Sequence, residues 1–315
     1  MKEQLLKWRR DIHAHPELSF AEIRTAGLAE EYLQSIGFSV RKKWLKAGSY
    51  ADLGDAPKVA LRCEMDALAM PELNSSPHMS TTKNISHACG HDAHVACVLG
   101  AATLLKESGT EVRVLLQSGE EQPDAEGVTG ARHAVTNGAL EGIEVLVGVH
   151  VDPTMPTGSL ALLPMSVDRE LVATAFVSGH NINAKFDIML SGSRKEELGE
   201  LQMWLNKRFP SKDYGVEWTE QPIDENSIPP EPLLEALATV SSNVHLSKRK
   251  TWSTSFAEYS KQVPCALILL GCEIRGDRRS QHTGRFEIDE ECLPIGAAAL
   301  ATLVRTLNGA AAYAR

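Results

Sequence analysis

The chain has 315 residues, long enough to bury a large core and to form two domains. Hydrophobic residues make up 43% of it and aromatics only 5%, an ordinary balance for a globular protein in water. Its net charge of −9, with no basic tract to offset it, argues against nucleic acid or an anionic membrane as a partner. The first 18 residues are charged throughout and lack the apolar core of a signal peptide. No run reads as a membrane span. The six cysteines, at 63, 89, 97, 265, 272 and 292, do not form the pattern of a disulfide framework, so a reducing cytoplasm is the expected setting.

Taken in order, Leu5, Leu6, Trp8 and Ile12 fall at near-helical spacing and predict a helix over 3–14. The run His15-Pro16-Glu17-Leu18 breaks it, and a second helix over 21–36 stops at Gly37. Strands follow over 38–44 and 58–63. A polar segment, 74–86, then leads into an apolar helix over 95–105. A strand over 113–117 ends on Gly119-Glu120-Glu121, a helix covers about 129–136, and a buried strand over 145–151 carries His150. Strands alternating with helices predict an α/β layered domain with a mixed, largely parallel sheet flanked by helices. Its chemistry should collect at strand ends.

The pattern changes near Asp168. Strands over 171–177, 184–190 and 214–220, with a helix from Ser193 to Phe209, predict a small inserted α+β domain at 168–221. The flanking segments, 1–167 and 222–315, make the larger domain. A helix over 231–241, a strand over 265–270 and an Ala-rich helix over 290–307 complete it. There is no internal repeat.

The most informative stretch is His87-Ala88-Cys89-Gly90-His91-Asp92-Ala93-His94. Such a density of thiol, imidazole and carboxylate groups is what a zinc-like ion needs. Cys89 and His91 are two apart, so an extended loop would aim both the same way. Glu120 and Glu121 allow one carboxylate to bind metal while the other takes a proton. Taken singly, His150 reads as a core histidine, His282 as an exposed loop residue, and Asp66 as either an orienter of a ligand or a strand-end cap.

Five stretches occur in one recognisable order: Arg10 to Phe20, Met65-Asp66-Ala67-Leu68, the His87–Asp92 loop, Glu120-Glu121 and Gly148-Val149-His150-Val151. They resemble amidohydrolases of the hippurate hydrolase and indole-acetyl-amino-acid hydrolase type, kin of aminoacylases and zinc carboxypeptidases. The resemblance covers residues 1–165 nearly throughout and the C-terminal part more loosely. It implies two divalent ions, zinc or manganese, held by Cys89, His91, Glu121, His150 and His282, with Glu120 as general base. Asp66, Asp92 and His87 would support the ligands, and His94 would do the same or cap the helix. The implied substrate is a small N-acyl amino acid or a dipeptide. Alternatives are a dipeptidase, a biosynthetic N-acetyl deacetylase, or a metal-binding homologue with weakened catalysis. The chain departs from the pattern in its short lid, which lacks a Gly-Gly-His stretch and argues against a lid-to-lid dimer. In addition, Thr254-Ser255-Phe256 replaces the usual Glu-Asp-Phe, and Glu64 stands where aspartate is usual.

Overall fold

The structure is a computed structural model that describes residues 1–44, 47–163, 170–179, 182–191, 214–220, 229–247, 254–277 and 279–309. The chain divides into two compact units, Met1–Met165 with Ile228–Arg315, and Ser166–Ser227.

The larger unit is built on an eight-stranded sheet in the order β1-β2-β4-β3-β5-β11-β6-β10. These strands are β1 (Ser39–Trp44), β2 (Gly48–Leu53), β3 (Val59–Glu64), β4 (Val112–Gln117), β5 (Val145–Pro156), β6 (Leu160–Leu163), β10 (Val244–Leu246) and β11 (Cys265–Glu273). The central pairs β4·β3, β3·β5 and β5·β11 are parallel. Pairs β1·β2, β2·β4 and β11·β6 are antiparallel, which makes the sheet mixed. Strands β2, β3 and β4 are buried along their whole length, as parallel and central strands covered on both faces must be.

Helices α1 (Lys2–Ala14), α2 (Ile23–Ser35), α3 (His91–Glu107) and α4 (Gly130–Thr136) precede β5. Helices α5 (Pro230–Ala238), α6 (Thr254–Ser260) and α7 (Cys292–Gly309) follow the insertion. The α2 helix ends as its sequence predicts: Phe38 N–H donates to Leu33 O at 2.9 Å and Gly37 N–H to Gln34 O at 3.0 Å. Thr129 caps α4, its hydroxyl accepting from Arg132 N–H. The α3 helix lies against α1, α7 and the sheet, so nearly every side chain in its first four turns is buried. Contrary to the sequence expectation, α7 is long and apolar enough to match a membrane span in length and composition. Here that composition serves the core: Leu293, Ala297, Leu300, Leu303 and Val304 are all fully buried.

In the smaller unit β7 (Glu170–Gly179) lies between β8 (Ile182–Ser191) and β9 (Tyr214–Glu220), both antiparallel to it. The helix expected over Ser193–Phe209, and His180-Asn181, fall outside the described residues.

Candidate metal centre

Because β3, β4 and β5 are adjacent and parallel, their C-terminal ends point the same way. Asp66 follows β3, Glu120 and Glu121 follow β4, and His150 lies on β5 beyond the residues paired with β3. Ligand sites in open α/β sheets form at such ends. The loop Ser86–Gly90 and the first turn of α3 bring Cys89 and His91 there. The loop is not extended as the two-residue spacing suggested. Gly90 turns left-handed, at φ 88°, and starts α3 at His91, four residues earlier than its apolar run. A Cβ on Gly90 would lie 2.4 Å from Val151 Cγ2, so no other residue fits this turn.

Cys89, His91 and His150 each offer a ligand atom within 4.8 Å of the others, and so do Cys89, Glu121 and His282. Cys89 belongs to both groups. Its Sγ lies 3.6 Å from His150 Nε2 and 3.3 Å from His282 Nε2. Glu121 Oε1 is 3.8 Å from His91 Nε2 and 3.5 Å from His282 Nε2. Zinc–sulfur and zinc–nitrogen bonds of about 2.3 and 2.0 Å at a tetrahedral angle put the two donors about 3.5 Å apart. The spacing therefore fits two ions sharing one sulfur. Two buried atoms in the cluster, His91 Nε2 and Glu121 Oε1, have no hydrogen-bond partner. Buried polar atoms seldom stay unpaired, so these are places for a cation. Burial pushes the Cys89 thiol up to about 12 despite the pull of His91, so a thiolate there needs positive charge beside it.

The imidazoles are aimed by their other nitrogens. His91 Nδ1 lies 2.8 Å from Asp66 O and 3.2 Å from Asp66 Oδ1, and His150 Nδ1 lies 2.9 Å from Val151 O. Each Nδ1 then carries the proton and turns Nε2 toward the cluster. Burial would lower the His91 pKa, but Cys89 and Asp66 more than offset that and raise it well above the ordinary value. His282 is held at φ 57°, an uncommon backbone for a non-glycine residue, with its N–H donating to Ala88 O at 2.8 Å. Asp66 does more than orient His91, because its Oδ2 also accepts from Glu120 N–H, Glu121 N–H and Ser19 Oγ–H at 2.9, 2.8 and 2.6 Å.

Glu120, Glu121 and His91 form another convergent group, which places Glu120 beside the ligands. A fourth group, Glu64, His91 and His94, is already closed. Glu64 pairs with Arg62 and with His94 Nδ1, while His94 Nε2 accepts from Val151 N–H at 3.0 Å. The sequence reading missed this network, which continues from Arg62 through Gln117 to the Tyr259 hydroxyl. The unusual glutamate at 64 was its only visible sign. Gln281 was missed as well. Its amide donates to Cys89 O at 3.2 Å and Val151 O at 3.0 Å, tying the ligand loop to β5.

Two expected supporting residues make no hydrogen bond to a proposed ligand. Asp92 turns toward α1, accepting from Arg9 Nε–H at 2.9 Å and lying 2.7 Å from His13 Nδ1, because it sits one residue around the helix from His91. It bonds no ligand. His87 is buried with both ring nitrogens unpartnered, and burial pushes its pKa down to about 3.

A model of peptidase family M20/M25/M40 matches residues 60–306. The chain belongs to this family. An N-acetyl-L-cysteine deacetylase from Bacillus subtilis is 37% identical over 180 residues, 54% of this chain and 42% of that protein. The chain thus spans less than half the length of that relative. IAA-amino acid hydrolase ILR1-like 6 from Arabidopsis thaliana is 29% identical, with 96% of this chain and 80% of that protein covered. The alignment runs to 379 positions against 315 residues here, so that relative carries segments this chain lacks. Among solved structures, a dinuclear metal-binding peptidase of the M20 family from Bacillus subtilis shares the fold, with a TM-score of 0.73 at 22% identity over 98% of both chains.

Proposed function

We propose that this protein is a metal-dependent amidohydrolase that cleaves the amide bond of small N-acyl amino acids. The observation that carries this reading is one thiol, Cys89, shared by two ligand groups with Glu120 beside them. Relatives named for N-acyl amino acid substrates support the substrate class. Cys89, His91 and His150 would hold one divalent ion, and Cys89, Glu121 and His282 the other. Zinc is favoured over manganese by the thiolate. When bound, such ions lower the pKa of water and polarise a carbonyl oxygen.

The chain's own residues supply the rest. A carboxylate oxygen of Glu120 takes the proton from the attacking water and passes it to the nitrogen of the leaving amine. Asp66 fixes the backbone of Glu120 and Glu121 and the ring of His91, so base and ligands keep one geometry through the reaction. The backbone bond from His282 to Ala88 holds that imidazole against the Cys89 loop. The six cysteines are all free and buried, which supports residence in a reducing compartment such as the cytoplasm.

The test is a panel of N-acyl amino acids and dipeptides assayed after chelation and after adding back zinc, manganese or cobalt. N-acyl amino acid hydrolysis that returns with metal is expected. Full turnover in rigorously metal-free protein overturns the reading, as does no turnover with any of the three metals.

A further inference from the structure

Three successive backbone N–H groups at the end of β4 finish on carboxylates outside the proposed ligand set. Glu120 and Glu121 donate to Asp66, while Gly119 N–H donates to Glu22 Oε1 at 2.7 Å. The other Glu22 oxygen, Oε2, accepts from Ser118 Oγ–H at 2.5 Å. Glu22 is fully buried at the start of α2. Asp66 also touches His91, so it belongs to the support of the metal centre, whereas the hydrogen bonds of Glu22 reach none of the proposed ligands.

We propose that Glu22 is a positioning residue for Glu120: by holding Ser118 and Gly119 it fixes the direction in which the Glu120 carboxylate leaves β4. The inference rests on the reading of Glu120 as general base. Three observations carry it. Gly119 takes φ 65°, a left-handed turn that reorients the chain one residue before Glu120. The Phe20 ring lies over it so closely that a Cβ on Gly119 would be 2.3 Å from Cζ, which leaves the turn no second arrangement with a side chain. Both oxygens of Glu22 are used, one by the Ser118 hydroxyl and one by Gly119 N–H, at the entry to that turn.

A buried carboxylate is a costly way to hold a loop, since an amide would satisfy one donor without ionising. Burial first, and then the charge of Asp66, pushes the Glu22 carboxyl up to about 7 against the pull of its two donors. The carboxylate accepts from both Ser118 and Gly119 through charge-assisted bonds, whereas an amide would have to reverse one of them and donate to Ser118 Oγ without charge. The two charge-assisted bonds fix an angle where one bond would fix only a distance. General-base catalysis depends on that angle.

Glu22→Gln keeps the volume and one acceptor, and replaces the other with a donor. Ser118→Ala removes one of the two bonds and is an independent probe if the glutamine variant folds poorly. Metal content, amide exchange over residues 118–121, and kcat and KM on an N-acetyl amino acid would be measured with and without Glu120→Gln. Expected are full metal content, faster exchange at Gly119, and a fall in kcat of roughly 10–100-fold with KM nearly unchanged. In the Glu120→Gln background the same change should cost less than about twofold, because a residue acting through Glu120 has nothing left to position. Ser118→Ala should show a smaller fall with the same background dependence. Equal falls in both backgrounds, loss of metal in proportion to activity, or unchanged kcat with unchanged exchange would each overturn the proposal. A wild type that hydrolyses nothing on the panel would instead remove the functional reading, and this inference with it.

Discussion

The stretch from His87 to His94 serves two polar clusters that differ in one respect, and the difference separates scaffold from site. Toward α1, Asp92 meets Arg9 and His13. Arg9 also reaches Glu287 at 2.5 Å and Glu290 at 3.1 Å, and His13 lies 3.3 Å from Glu72. The charges there are answered by the chain itself. Toward β3, β4 and β5, a thiol, three imidazoles and a carboxylate converge, and His91 Nε2 and Glu121 Oε1 face each other unpartnered. A buried cluster that holds its own arginine has its charges balanced, although Asp92 Oδ1 accepts no hydrogen bond. One made of electron-pair donors is built for a cation.

The sharpest way to break this comparison is to alter the open cluster. Glu120→Gln should lower kcat by ~10²–10⁴ with metal content near that of the wild type, whereas Glu121→Gln should lose metal. Metal analysis alongside steady-state kinetics checks both, and equal metal loss in the two variants would overturn this assignment of the two roles. Cys89→Ser should weaken both ions together, because the sulfur belongs to both groups. Loss of only one ion per chain would contradict a shared ligand.

The closed cluster should respond in stability instead. Arg9→Met leaves Asp92, Glu287 and Glu290 without their guanidinium and should destabilise the fold by about 3–5 kcal/mol. Metal content per folded molecule should be unchanged, as read by denaturant titration and metal analysis.

A smaller effect should follow from pH. Burial and the charge of Arg9 lower the His13 pKa, yet Asp92 and Glu72 together outweigh them and raise the value to about 9, above the ordinary 6.5. A group raised on folding stabilises fully below its unfolded pKa and loses that contribution as pH rises through its folded value. Thermal melts should therefore fall between about pH 6.5 and 9, by up to about 3 kcal/mol, and His13→Gln should flatten that limb. A parallel decline in the variant would assign the slope to another group.

The smallest expected effect concerns the three-stranded unit. We propose that the charged residues of its outer strands, Lys185 and Asp187 in β8 and Glu217 in β9, discourage edge-to-edge pairing. Light scattering at micromolar concentration should report a monomer. A stable dimer joined along β8 would refute this.

Local pattern was enough to establish much of this protein. Short, mostly apolar runs marked β3, β4 and β5, whose parallel ends make the site, because strands buried on both faces read as near-continuous apolar stretches. The density of ligand types around Cys89 and the pair Glu120-Glu121 stood out without any fold, since few structural needs gather such groups. Short strands such as β6 and β10 escaped notice because a few residues carry too little period to read.

What the tertiary structure alone decided is where each side chain points. With Gly90 starting α3 at His91, Asp92 falls toward Arg9 and His94 toward Glu64, and neighbours in sequence become members of different clusters. Nothing local marks Glu22 as the partner of Ser118 and Gly119, which lie nearly a hundred residues away along the chain. Such pairings are fixed by how the start of α2 meets the turn after β4, and a sequence read one window at a time does not contain that contact.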